Sequence, residues 1–253
     1  MAIYLTGDCH GRYNRFAKER FPEREGLRKD DFVIVLGDMG LIWSTDPEDM
    51  TEKANIQYLD SLPFTVLFID GNHENFDRLN AMPAEEWHGG KVHRIGESIY
   101  HLMRGQVFEL EGHKFFTFGG AQSHDIDGGI LDPADPDFEK KHYTLYHYSK
   151  KPFRILHESW WPEELPSQEE MQEGWDNLAK HNYKVRGILT HCTSSSCQAV
   201  LSAGMFKPDI LTDYLEQVKQ RVSFKRWYFG HYHLDKRITH EESLLYDSIV
   251  RII

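Results

Sequence analysis

The sequence predicts an α/β domain with a polar site at the carboxyl ends of its strands, and three features carry that expectation. Five short apolar runs end in Asp, Asn or His residues, helix-start signals lie between them, and a central stretch reads as a hairpin. A chain of 253 residues suffices for one large domain with a sizeable core, and a single domain over 1–253 is expected. Hydrophobic residues at 40% and charged residues at 27% are ordinary globular usage, which excludes a fibrous or wholly disordered protein.

The runs are Ala2 to Thr6 before Gly7-Asp8, Phe32 to Leu36 before Gly37-Asp38, and Phe64 to Ile69 before Asp70-Gly71-Asn72-His73. Val185 to Leu189 precedes Thr190-His191, and Trp227 to Phe229 precedes Gly230-His231-Tyr232-His233. Short, continuously apolar and bounded by turn residues, they suit buried strands. Asp46-Pro47 predicts a capped helix start, and Ser167 to Glu170 reads as a capping box ahead of Met171, Trp175 and Leu178 at helical spacing. Strands alternating with helices place sites outside the strands' carboxyl ends, so the five polar termini are expected to converge.

Ile99 to Leu110 and Lys114 to Phe118, broken at Glu111-Gly112, predict antiparallel strands and hence a second, mixed sheet. From about His124 to Pro166 the composition is acidic, aromatic and without a period, which predicts a surface excursion that would form a lid. Within it, Trp160 and Trp161 before Pro162 read as anchors that pack the loop onto the body. A last strand is expected from Ser248 to Ile253.

Bulk chemistry narrows the function classes. No apolar stretch is long enough to cross a bilayer and the first residues lack a basic start, so a cytoplasmic protein without membrane contact is expected. Cys9, Cys192 and Cys197 lack zinc-type spacing and read as reduced thiols. A net charge of -11 disfavours extended nucleic acid, whose binding depends on many Lys and Arg displacing counterions. A small phosphate ester needs only a local positive field, which metal ions supply even in an acidic protein.

The strand ends together carry Asp8, His10, Asp38, Asn72, His73, His191, His231 and His233. Carboxylate, imidazole and amide donors without thiolate suit Mn, Fe or Zn, and one Asp can bridge two ions. Gly7 to Gly11 (GDCHG), Gly37 to Gly40 (GDMG), Gly71 to Glu74 (GNHE), the His at 191 and Gly230 to His233 (GHYH) resemble, in order, the motifs of the calcineurin-like metallophosphoesterases. That resemblance implies a four-layer αββα sandwich with two mixed β-sheets and a site for two divalent metal ions. It implies that Asp8, His10 and His233 hold one ion, that Asn72, His191 and His231 hold the other, and that Asp38 bridges them. A metal-bridging hydroxide would then attack phosphorus, with His73 as general acid, and Glu74 would orient its neighbours. The expected partner is a small phosphate ester, cleaved by a phosphomonoesterase or phosphodiesterase.

Two departures bear on substrate. Met39-Gly40-Leu41-Ile42-Trp43 follows Asp38 where the superfamily's protein phosphatases carry an Asp-Arg pair, which argues against a phosphoprotein substrate. Arg12 is the residue expected to grip phosphate instead, and Trp43 to wall the pocket. A nuclease acting on nucleic-acid ends and a noncatalytic metal-binding scaffold are the alternative readings. His124, Asp125 and Asp127 read as solvated loop residues.

Overall fold

Residues 1–253 are described by a computed structural model. Its strands in chain order are β1 Ile3–Thr6, β2 Phe32–Leu36, β3 Thr65–Ile69, β4 Ala84–Trp87, β5 Gly90–Arg94, β6 Ile99–Leu102, β7 Gln106–Leu110, β8 His113–Phe118, β9 Ile130–Leu131, β10 Arg154–Ile155, β11 Gly187–Thr190, β12 Arg226–Phe229, β13 Lys236–Arg237, β14 Glu242–Leu244 and β15 Val250–Arg251. The helices are α1 Met50–Asp60, α2 Phe76–Leu79, α3 Phe138–Tyr148, α4 Gln168–Lys180, α5 Ser195–Leu201 and α6 Ile210–Arg221.

One sheet has the order β15-β1-β2-β3-β6-β5-β4 and the other β13-β14-β12-β11-β8-β7, and a two-stranded β10-β9 ribbon stands apart. Both large sheets are mixed: β1, β2, β3 and β6 run parallel, as do β8, β11, β12 and β14, while β15, β5, β13 and β7 pair antiparallel with them and β4 pairs antiparallel with β5. The period-2 geometry of a strand splits the apolar runs between two faces. Ile3, Leu5, Ile34, Leu36, Leu67 and Ile69 turn inward to meet Phe108, Leu110, Phe115 and Leu189 of the other sheet. Tyr4, Val33, Val35, Val66 and Phe68 turn outward beneath Leu59 of α1. On the far side, Phe116, Ile188, Trp227 and Phe229 pack with α4 (Met171, Leu178) and α6 (Leu211, Tyr214, Leu215, Val218). Two sheets face to face with helices outside them make the expected four-layer arrangement.

Local chemistry accounts for the element ends. Ser167 accepts from the N–H of Glu170, whose carboxylate accepts in return from the N–H of Ser167, so the capping box starts α4 as predicted. The helix expected after Asp46-Pro47 begins later, at Met50, with Asp49 accepting the N–H of Glu52. Asp46 is occupied instead by a turn, its carboxylate accepting from the N–H of Glu48. The run from Ile99 to Leu110 is two strands rather than one. β6 stays beside β3, and Gly105, at φ 71, turns the chain into β7 of the opposite sheet, where β7 and β8 form the predicted hairpin. The excursion at 124–166 holds β9, α3, β10 and a 3-10 turn at Pro162–Glu164. None of the residues of α3 is buried, so the sequence has no apolar stripe there to reveal it.

Behind the carboxyl ends, Asp70 pins the sheets together. It follows β3, is buried, and accepts from Arg104 Nε at 2.8 Å and from His101 Nε2 at 3.1 Å, with the Arg104 Nη2 charge 2.6 Å away. Its carbonyl accepts the N–H of Gly120, beyond β8. Burial alone would raise its pKa, but the Arg104 and His101 partners outweigh burial and hold Asp70 well below the usual carboxylate range. Asp70→Ala would strand the buried Arg104 charge, and urea denaturation is expected to show a loss of about 3–5 kcal/mol. Because the folded-state pKa is depressed, the carboxylate's contribution is complete above pH about 4 and disappears as pH falls toward the folded-state value. A loss under about 1 kcal/mol at neutral pH would contradict this role, since it is no more than an exposed ion pair provides.

Candidate metal centre

Every polar strand end named from the sequence arrives at one edge of the sandwich. Asp8 and His10 follow β1, Asp38 follows β2, Asn72 and His73 follow β3, His191 follows β11, and His231 and His233 follow β12. The turns that aim them are tight. His10, Asp38, His231 and His233 all have positive φ, at 46, 45, 70 and 51, a region that costs non-glycine residues about 1–3 kcal/mol and that persists only where surroundings enforce it. A Cβ on Gly71 would collide with Asp38 and one on Gly230 with Asp8, so glycine at these positions is what allows the backbones to crowd the carboxylates.

Two clusters share Asp38. In the first, Asp8, His10, Asp38 and His233 bring their donor atoms within 4.8 Å of one another. His10 Nε2 lies 3.0 Å from His233 Nε2 and 3.6 Å from Asp38 Oδ2, and His233 Nε2 lies 3.0 Å from Asp8 Oδ2. In the second, Asp38, His191 and His231 meet within the same limit. His191 Nε2 is 3.4 Å from Asp38 Oδ1 and 3.3 Å from Asn72 Oδ1. Asp38 thus turns one oxygen to each cluster.

The donor set fits cations. Asp8 Oδ2 is buried and accepts no well-directed hydrogen bond, although the His233 nitrogen is close. His191 Nδ1 donates to the carbonyl of Leu36 at 2.8 Å, so Nε2 is the nitrogen left to face Asp38 and Asn72. Burial disfavours charge on His191, but the Asp38 carboxylate outweighs it and lifts the imidazole to about 9. A proton held at Nε2 occupies the place in which a cation would satisfy all three donors. In the other direction, burial and the neighbouring His191 push His231 well down, leaving it a neutral donor. Burial also lowers His10 and His73, whereas the Asp8 carboxylate 3.0 Å from its ring raises His233.

Around these atoms lie supporting residues, of which the sequence alone did not single out Arg15, Ser123 or Glu164. Arg15 is buried and donates to the carbonyls of Gly7 at 3.0 Å, Asp8 at 2.6 Å and Tyr246 at 2.5 Å, fixing the turn after β1. Asn72 Nδ2 donates to Ser123, which donates in turn to Glu164. Glu74 accepts the N–H of Met39 at 2.8 Å, the orienting contact expected of it, and burial raises its pKa well above the usual value. Cys9 and Cys192 are buried with their thiols pushed up to about 12, which leaves them packing residues.

His73 stands beside the clusters, its ring centroid 5.1 Å from that of His10 and 5.7 Å from that of Trp43. The three line a cleft of about 500 Å³ together with Ser44, Asp49 and Asn55. Trp161 is fully buried, donates from Nε1 to Asp77 at 2.7 Å, and packs edge-on against Trp43 at 5.5 Å, so the expected anchor is in place. Arg154 Nε donates to Asp125 at 3.0 Å, and its charge adds to burial in lowering His73. Arg12 is exposed on the loop after β1 and is not among the residues that line the cleft. His124 stacks on Phe206 with ring centroids 3.9 Å apart, and neither it, Asp125 nor Asp127 joins a cluster.

Comparison with known proteins agrees with the geometry. Residues 1–235 match the model of the calcineurin-like phosphoesterase family. A lariat debranching enzyme from Danio rerio is 23% identical over 162 residues, which is 58% of this chain but only 27% of that enzyme. No helix is long and apolar enough to cross a membrane.

The clusters predict a thermal response. Manganese at a hundredfold excess over its dissociation constant stabilises a folded protein by about 2.7 kcal/mol, a rise of roughly 5–11 °C in melting temperature for a chain of this size. Scanning calorimetry of metal-stripped protein is expected to show that rise in the wild type and to lose most of it in Asp38→Ala. An unchanged melting temperature in the wild type would contradict the cluster as a metal site.

Proposed function

This chain belongs to the calcineurin-like phosphoesterase family, and from that membership we propose that it hydrolyses a small phosphate ester using two divalent ions bridged by Asp38. The observation that carries this reading is the division of the Asp38 carboxylate between two donor clusters, with one oxygen 3.6 Å from His10 and the other 3.4 Å from His191. Asp8, His10 and His233 would hold the first ion, and Asn72, His191 and His231 the second. Manganese, iron or zinc suits such a mixture of oxygen and nitrogen donors. When bound, two ions activate water and neutralise charge on the phosphoryl oxygens.

The protein's own groups supply the rest. His73 is the general acid that delivers a proton to the leaving ester oxygen, since it lines the cleft next to the clusters without belonging to either. A leaving group in that cleft would lie against Trp43, which Trp161 braces from behind. Arg12, on the exposed loop after β1, remains the proposed grip on phosphate. Segment 124–166 is a support for a single domain more than a lid, because Trp161 and Glu164 within it are buried against the body.

A second reading, a nuclease acting on nucleic-acid ends, draws on the likeness to the debranching enzyme. The net charge of -11 opposes it. Para-nitrophenyl phosphate, its bis ester and a short oligonucleotide, offered to manganese-loaded protein, separate the two.

His73→Ala is expected to lower turnover of whichever ester is cleaved by about 10²- to 10⁴-fold. The manganese-dependent rise in melting temperature should survive the change. Full turnover in the variant would remove His73 from the reaction, and loss of bound metal would make it a ligand instead.

A further inference from the structure

A side-chain amide can serve a metal ion only through its oxygen, so an asparagine ligand must be kept from turning its nitrogen inward. The choice is made by whatever meets the other end of the amide. Here Asn72 Nδ2 donates to Ser123 Oγ at 3.1 Å, across 51 residues of sequence. Ser123 is itself held twice by Glu164: its N–H donates to Oε1 at 2.9 Å and its hydroxyl donates to Oε2 at 2.6 Å. Asn72, Ser123 and Glu164 are 5%, 4% and 2% exposed, so bulk water does not compete for these groups.

The order of donors in this chain follows from the state of Glu164. Burial raises its pKa and the two hydrogen bonds from Ser123 oppose that rise; as a carboxylate it only accepts, so both the N–H and the hydroxyl proton of Ser123 then point at it. That leaves only a lone pair of Ser123 Oγ facing Asn72. A lone pair can be met by the amide NH2 and not by the amide oxygen, so Oδ1 is turned the other way, to within 3.3 Å of His191 Nε2. Glu164 is held in turn by its own segment. The carbonyl of Glu163 accepts from Arg104 Nη2 at 2.7 Å, and Trp161 is anchored on Asp77.

We propose that Glu164, acting through Ser123, is a positioning residue for the second metal ion, fixing the Asn72 amide with its oxygen toward His191 and Asp38. This rests on the reading of Asn72 as a ligand. It assigns the segment around Pro162–Glu164 a task at the metal centre, although no residue of that segment belongs to either cluster. Partners that orient a ligand in this way typically contribute 10- to 100-fold to metal affinity.

The test is a calorimetric titration of metal-stripped wild type, Ser123→Ala and Glu164→Gln with Mn²⁺. Ser123→Ala removes the lone pair that the amide meets. Glu164→Gln replaces an acceptor with a group that also donates, which frees the hydroxyl to turn toward Asn72. In both variants one of the two ions is expected to bind about 10- to 100-fold more weakly while the other is unchanged. Turnover measured at limiting Mn²⁺ should fall with the weaker ion and recover when Mn²⁺ is raised. Two ions bound at wild-type affinity in both variants would overturn the proposal, whatever happened to their melting temperatures. A wild type that binds no Mn²⁺ would instead overturn the underlying reading of the site. Should Glu164→Gln fail to fold, Ser123→Ala, which deletes a single oxygen atom, decides the matter.

Discussion

A carboxylate sealed from water needs a compensating charge, and the shared edge of the two sheets is arranged around that need at Asp38. Its side chain is 2% exposed, with an imidazole nitrogen facing each oxygen. The penalty for taking such an ion out of water is several kcal/mol. Hydrogen bonds offset part of it, including one from the N–H of His73 to Oδ1 at 2.9 Å. The remainder is met by cationic imidazole when no ion is bound, and this is why His191 is raised while Asp38 is lowered well below its usual value. The donors that surround this buried carboxylate are ones that a metal ion would satisfy.

The geometry of the backbone follows from the same constraint. Bringing five loops from two sheets within hydrogen-bonding reach of two carboxylates requires turns with no room for a side chain, and Gly71 and Gly230 occupy them against Asp38 and Asp8. It also requires left-handed backbone at His10, Asp38, His231 and His233, which the fold holds in place through contacts such as the carbonyl of Asp38, which accepts the N–H groups of Cys9 and His10. Arg15 and Asp70 fix the loops from behind, one by gathering carbonyls beneath the turn after β1, the other by joining the sheet edges at β3, β6 and the end of β8. The excursion at 124–166 contributes from the opposite side through Trp161 and Glu164. The centre is therefore held by groups from both sheets and from the excursion.

The candidate ligands were legible in the sequence because each sits directly after an apolar run, where chain order alone announces a strand end. The four-layer fold came with the resemblance, and the two sheets bear it out. What was not legible depends on distance in sequence or on the absence of a pattern. Ser123 and Glu164 are single loop residues separated by 41 positions, and only the folded chain brings them together behind Asn72. Arg15 reads as an ordinary basic residue until its burial is known. Helix α3 buries no face that would mark it in the sequence, and β6 and β7 read as one run because the turn between them is only Met103-Arg104-Gly105. Asp46 and Asp49 both accept from a nearby N–H and only the second heads a helix, so the N-cap of α1 lies three residues beyond the capping signal that the sequence offers first.

The most direct test of the central claim, that one carboxylate joins two metal sites, is anomalous diffraction from crystals of the manganese-loaded protein. Two anomalous peaks roughly 3.5–4 Å apart, with an Asp38 oxygen toward each, are the result the account predicts. A single peak, or two that do not share Asp38, would contradict it.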